Sequence, residues 1–426
     1  MRPELSVSYA RHCDSLDALS RFRSRFALPT DQTGEPLLYL CGHSLGLMPL
    51  EARDVVNADL DDWARLGVLG HEKARRPWIP YAESLRSDFA ELIGCEAGDV
   101  AAMNSLTINL HLMLAAFFRP QGRRTKILME SGAFSSDRHA VASSLELHGL
   151  DPNTHLIELA PSPGEDLIDE DAIERTLAVH GEEIALVLWP GVQFRTGQAF
   201  DLTRIARSAQ RAGAAMGFDL AHSIGNVPVD LRASGADFAV WCSYKYLNGG
   251  PGAIGGCFIH PRHSQSPWRP RLSGWWGHEA ATRFEMRAEF SATPGACGFQ
   301  VSNPPILSAA PLVASLAIFR EAGIREVRAK SVTLTGFLEH LVDRNRQDVE
   351  VVTPRTPSAR GAQLSLRIRG GRDRGRRVFD WLLEHGAVCD WRAPDVLRVA
   401  PVALYNSFED VFGFAERLTE ALRANR

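Results

Sequence analysis

The chain is short of paired cysteines, of long apolar runs and of net charge, and each shortage closes off a class of function. Its seven cysteines stand at positions 13, 41, 95, 242, 257, 297 and 389, an odd number with no Cys-x-x-Cys spacing. That argues against a disulfide framework or a thiolate zinc site and leads us to expect reduced thiols in a cytoplasmic protein. Lys and Arg number 47 against 51 Asp and Glu, a formal net charge of -4, so bulk electrostatics draws the chain neither to nucleic acid nor to an acidic membrane. The single basic cluster, Arg367 to Arg377, reads as a solvated face. The opening Met1-Arg-Pro-Glu-Leu5 has no apolar signal core, and no run approaches a membrane span. G-x-x-x-x-G-K-[ST] and His-Glu-x-x-His are both missing, which removes support for nucleotide hydrolysis and for zinc chemistry, and no metal is expected. Gly250-Pro-Gly252-Ala-Ile-Gly255 satisfies G-x-G-x-x-G, yet it precedes a β-like Cys-Phe-Ile-His instead of opening a helix, so a dinucleotide site is rejected. Fixed-period repeats and low-complexity segments are absent as well.

What is present is an alternation of apolar strand-like runs with helical segments. A chain of 426 residues with 45% hydrophobic content can hold two domains. Thr125–Glu130, Ile184–Leu188, Ala214–Asp219 and Asp237–Cys242 read as buried strands, and Leu202, Ile205, Ala206 and Ala209 make one helical face. Such alternation predicts a mostly parallel central sheet flanked by helices. Two of these runs end in chemistry. Asp219 closes one, and Lys245 lies just past another, in Cys242-Ser-Tyr-Lys-Tyr-Leu-Asn248. A lone strand-end lysine ordinarily reaches solvent. The C-terminal edge of a parallel sheet is where ligands bind, however, and a pyridoxal phosphate site needs both a lysine for the aldehyde and an acid for the pyridinium nitrogen.

The surrounding motifs carry a resemblance. Phe218-Asp-Leu-Ala-His222 with Cys242-Ser-Tyr-Lys-Tyr-Leu-Asn248 is similar to kynureninase, a pyridoxal-phosphate hydrolase of the aspartate-aminotransferase fold type (fold type I). Further stretches extend the likeness through most of the chain: Gly42-His-Ser-Leu-Gly46, where His43 replaces the family's asparagine; Ser273-Gly-Trp-Trp-Gly-His278; Val301-Ser-Asn-Pro-Pro-Ile306; and Arg398-Val-Ala-Pro-Val402. The resemblance implies hydrolysis of L-kynurenine or L-3-hydroxykynurenine to anthranilate or 3-hydroxyanthranilate plus L-alanine. Catalytic roles fall to Lys245, Tyr244 and Asp219. Leu106 and Thr107, at the start of an apolar helix that Asn104 or Ser105 could cap, would hold the cofactor phosphate on free amides. Phe134 would stack on the cofactor ring, with Ser136, Asp137 and His222 around it. Ser44, His71, Asn303 and Arg398 would meet the amino-acid substrate, Arg398 through two parallel bonds to its carboxylate. Trp275 and Asn303 are expected to reach the neighbouring subunit's cofactor, which implies a homodimer with shared active sites. His71 and Asn303 accompany preference for the 3-hydroxy substrate in relatives, which would favour a biosynthetic role, as on the route to NAD, over tryptophan catabolism.

The division expected is an N-terminal segment, 1–55, packing with the small domain, a large cofactor-binding domain, 56–310, and a small C-terminal α+β domain, 311–426. Helical periodicity through Leu16, Leu19, Phe22 and Phe26 marks the first, and Gly323 stops a helix carrying Leu312, Leu316 and Phe319. Short strands are expected at 363–368 and 387–391. Two rivals share this reading. A cysteine desulfurase would need a mobile nucleophile, for which Cys297 in Pro294-Gly-Ala-Cys297-Gly is the loop candidate. A non-catalytic scaffold would have no chemical need for Lys245, Asp219, Thr107 and Arg398 together.

Overall fold

The computed structural model describes residues 6–264 and 270–426. Its strands, in chain order, are β1 (Leu38–Tyr39), β2 (Val100–Ala102), β3 (Lys126–Glu130), β4 (Leu156–Leu159), β5 (Ile184–Pro190), β6 (Ala215–Asp219), β7 (Phe238–Trp241), β8 (Gly256–Ile259), β9 (Val349–Val351), β10 (Leu364–Ile368), β11 (Ala387–Val388), β12 (Asp390–Arg392) and β13 (Val396–Val399). The large sheet has the order β2-β8-β7-β6-β5-β3-β4. From β7 to β4 its pairings are parallel, and β8 runs antiparallel to both β7 and β2.

Continuous apolar sequence is what a strand covered on both faces requires. Residues Ile184 to Trp189 of β5 and all four of β7 are buried accordingly. The helix Leu202–Ala212 between β5 and β6 turns Ile205, Ala206 and Ala209 inward. Asp201 caps it by accepting the Arg204 N–H at 2.9 Å, and Gly213, at φ 76°, ends it in the left-handed region that suits glycine. At the helix Leu106–Phe117 the cap differs from expectation. Ser105 occupies the capping position with no side-chain bond, and the Asn104 amide instead donates to Asn109 Oδ1 at 3.0 Å.

A second, antiparallel sheet, β12-β13-β10-β9, packs with the helices Ile324–Val342, Arg372–Glu384 and Phe408–Ala424 around a separate core that includes Leu338, Leu366, Leu382, Val399 and Leu418. The strand expected at 387–391 is two strands, β11 and β12, with Cys389 between them. The helix Ile306–Ala322 shares the large sheet's core through Leu312, Leu316, Phe319 and Ala322. The expected boundary at 310/311 therefore falls inside a helix that belongs with the large sheet, and the chain turns at Gly323.

Residues 6–55 bridge the two cores. Ala10 and Leu40 join the small one, and β1 pairs in parallel with β11; Leu19, Phe22, Phe26 and Leu47 join the large one. The periodicity through Leu16 to Phe26 is not one helix. The helix Val7–Leu16 stops because the Asp17 carboxylate bonds the Leu19 N–H at 2.9 Å and pairs with half-buried Lys330 at 2.6 Å; a 3-10 turn, Ser20–Arg25, follows. The basic cluster is likewise not wholly solvated. Arg367 bonds Asp166 and Asp395, each at 2.7 Å, and Arg374 bonds Asp348 at 2.8 Å. No single helix among the described residues is long and apolar enough to cross a membrane, and they include no cluster of three or more metal-ligating side chains.

Candidate active site

Glu130, Pro190 and Asp219, the last residues of β3, β5 and β6, open on one cavity with Lys245 beyond β7. Leu106, Thr107, Phe134, Ser136, Asp137, His222 and Tyr244 complete most of its wall. Parallel strands place their carboxyl ends side by side, so residues far apart in sequence share one edge. Lys245 Nζ lies 3.0 Å from His222 Nε2. Burial, and then the Lys245 charge, pull His222 well below the usual imidazole range, so its ring is neutral and accepts a bond from the amine. Phe134 keeps a partly exposed ring, whose centroid is 5.9 Å from Lys245 Nζ.

The lysine turn is held from outside. Asn248 adopts φ 52°, and the Gly249 N–H returns to the Ser243 carbonyl at 2.8 Å. From the N-terminal segment, the Gly46 N–H donates to the Tyr244 carbonyl at 2.8 Å. A Cβ on Gly46 would stand 2.2 Å from the Lys245 carbonyl oxygen, so only glycine fits there.

Three carboxyl groups line the cavity, Glu130 and Asp137 buried and Asp219 half-buried. Asp219 Oδ1 accepts the Ala221 N–H at 2.7 Å. Burial, followed by the charge of neighbouring Asp219, raises Asp137 well above the carboxylate range. Glu130 is 2% exposed, and burial pushes it up to about 8. Gln193 donates to Glu130 Oε1 at 3.4 Å while its own amide oxygen accepts from the Arg195 and Thr196 N–H groups, which fixes its orientation.

Pyridoxal phosphate fits these residues. His222 Nδ1, Asp137 Oδ1 and Glu130 Oε2 are buried polar atoms without a partner, which a polar heterocycle against Asp219 would relieve. At the other end, the Ser105 side chain leaves the first amides of the helix Leu106–Phe117 uncapped, and the Thr107 and Ser136 hydroxyls meet at 2.7 Å. Amides and hydroxyls at a helix N-terminus suit a phosphate.

Other sequence candidates lie elsewhere. Arg398 is buried on β13, donating to the Phe194 carbonyl at 2.8 Å and to Asp390. Ser44 is half-buried in the loop after β1 and does not line the cavity. His71 is exposed and packs edge-on against Trp78, with ring centroids 5.3 Å apart. Trp78 and the segment Pro305–Ser308, just past Asn303, line a separate apolar groove. Trp275 and Asn303 are exposed and outside the lysine cavity. Cys297 is buried in a 3-10 turn, and burial pushes its thiol up, the reverse of what a mobile nucleophile requires. Sequence reasoning missed Glu130, a strand-end carboxylate like Asp219, and Asp390, which sits opposite Arg398.

The chain is similar to known proteins over nearly its whole length. Residues 327–418 match the kynureninase C-terminal domain family. The kynureninase of Xanthomonas campestris pv. campestris (strain 8004) is 52% identical over 419 residues, 98% of each chain. That of Xanthomonas axonopodis pv. citri (strain 306) is 51% identical over 423 residues, 98% of this chain and 99% of its own. Among solved structures, a C-DES mutant with glycine covalently linked to its PLP cofactor superposes with a TM-score of 0.75 at 19% identity, covering 90% of this chain and 96% of the other. A cysteine desulfurase from Escherichia coli superposes with a TM-score of 0.75 at 17% identity, covering 96% and 99%. At such identities the two structures speak for the fold alone.

Proposed function

The chain belongs to the kynureninase family, and from that premise we propose which residues carry the reaction and which substrate it prefers. It is a pyridoxal-phosphate-dependent hydrolase of fold type I that cleaves kynurenine. The cofactor, when bound, supplies an aldehyde for amino groups and a ring that accepts electrons from Cα. The observation that carries the assignment of roles is the approach of Lys245 to neutral His222 within a cavity that Asp219 also lines.

In this reading Lys245 would hold the cofactor through its amine and serve as the base for the substrate Cα proton, with His222 aiming that amine. Asp219 would accept a hydrogen bond from the ring nitrogen's N–H. Phe134 would pack on the ring, and the Leu106 and Thr107 amides with the Thr107 and Ser136 hydroxyls would hold the phosphate. Tyr244 protonates the departing carbon; burial raises its phenol, which keeps the proton available. Arg398 anchors the substrate carboxylate, with Ser44 nearby in sequence to the His43 that replaces the family's asparagine.

Preference for 3-hydroxykynurenine is the finer proposal. It rests on His71, whose ring packs on Trp78 of an apolar groove outside the lysine cavity, and on Asn303, two residues before Pro305 of that groove. With Trp275, their position supports a homodimer in which each copy completes the other's site. The reduced cysteines support a cytoplasmic enzyme, and the substrate preference supports biosynthetic supply of 3-hydroxyanthranilate toward NAD. The test gives purified, cofactor-loaded protein equal amounts of kynurenine and 3-hydroxykynurenine in competition. Faster 3-hydroxyanthranilate formation supports the preference. Excess anthranilate refutes it, and absence of both products while Lys245 retains the cofactor overturns the assignment of the reaction.

A further inference from the structure

Arg398 is already engaged by a carboxylate. β12 and β13 pair antiparallel with Asp390 opposite Arg398, and Asp390 Oδ2 accepts from Arg398 Nη2. Nη1 donates to the Phe194 carbonyl at 2.8 Å, whereas Nε is buried without a partner. A guanidinium can grip a carboxylate with two bonds along two edges, Nη1 with Nη2 or Nε with Nη2. Nη2 belongs to both. Nη2 carries one hydrogen on each edge, so with Asp390 on one of them and the Phe194 carbonyl on Nη1, a second carboxylate must either share the guanidinium with Asp390 or displace it.

Asp390 also has somewhere to go. Arg392 Nε lies 3.1 Å from the same Oδ2, and His43 Nε2 lies 3.7 Å from it. His43 is completely buried, with neither ring nitrogen hydrogen-bonded. Its neutral ring, held so by burial and by the Arg398 charge, has one N–H to give. Among the described residues Asp390 is the one carboxylate paired with either arginine, so two cations face one anion and a second carboxylate would balance them.

We propose that Asp390 is a resident carboxylate that occupies Arg398 until the substrate's α-carboxylate displaces it onto Arg392 and His43. The proposal rests on the reading of Arg398 as the substrate anchor and gives Asp390, Arg392 and His43 positioning roles that act through it. It also gives the histidine at position 43 a function that depends on Asp390.

The experiment uses cofactor-loaded enzyme carrying Asp390→Asn, Arg392→Gln, both changes, or Arg398→Gln. KM and kcat are measured with kynurenine, and binding of the kynurenine analogue lacking its carboxylate is followed by the cofactor's absorbance. Asp390→Asn removes the competitor and lowers the kynurenine KM by about three- to tenfold, with the analogue's affinity unchanged. Arg392→Gln removes the receiving cation and raises KM, and that rise disappears in the double variant. A higher KM in Asp390→Asn, or an equal shift for the analogue, overturns the proposal. Should Asp390→Asn not fold, Arg392→Gln decides: a KM rise confined to kynurenine supports the exchange, and an unchanged KM overturns it. Arg398→Gln separates the two layers, since an unchanged KM there refutes the anchor itself and the exchange with it.

Discussion

Replacing Glu130 by Gln makes the cofactor-free protein more stable in alkali and little changed in acid. Burial raises Glu130 from 4.5 to about 8 in the folded chain. Between those values the folded state binds a proton that the unfolded state has lost, so stability falls as pH rises through the window. Going from pH 5 to pH 8.5, the folded wild type loses about 4 kcal/mol relative to a side chain that does not titrate. Glutamine has nearly the same shape, and its amide can accept the Gln193 bond, so the variant escapes this loss. Urea denaturation of both proteins without cofactor, at pH 5 and pH 8.5, measures the difference. Wild type and variant curves that run parallel across this range would refute the claim that Glu130 is a buried neutral acid. Parallel curves would then put a second negative charge beside Asp219.

Two other substitutions probe the site. Gly46→Ala drives a Cβ to within 2.2 Å of the Lys245 carbonyl oxygen, and overpacking of this kind costs about 1–3 kcal/mol. A lower urea midpoint together with faster cofactor release is the expected result, and a wild-type midpoint would show that the loop is not wedged against the lysine turn. Phe134→Ala removes an aromatic face worth about 0.5–1.5 kcal/mol, so pyridoxal phosphate binds about two- to tenfold more weakly on dialysis. Unchanged affinity would place the ring elsewhere.

The parts of the molecule legible in the sequence are those set by local pattern. β6 and β7 are apolar runs whose ends carry Asp219 and bring the chain to Lys245, and both run and end are visible without knowing what lies beside them. Glu130 ends β3 in the same way, but its importance depends on β3 lying two places from β6 in the sheet, an order that no local pattern encodes. Asp390 was hidden for a related reason. Reading 387–391 as one strand conceals the break at Cys389 and with it the register that sets Asp390 against Arg398. The misread N-terminal helix shows periodicity outvoted by a single side chain, because the Asp17 carboxylate takes an N–H that a continuing helix would have used. Trp275 and Asn303, both exposed, stand apart from the cavity of their own chain.

The N-terminal segment is, in mechanical terms, a short tether. It is fastened at one end where Cys41 bridges Ala400, two residues past Arg398, and at the other where Gly46 bonds the residue before Lys245. Five peptide links between the two fastenings span at most about 18 Å when fully drawn out. The strand bearing Arg398 and the turn bearing Lys245 are thus leashed to each other, and any swing that separates them runs out of slack within that reach.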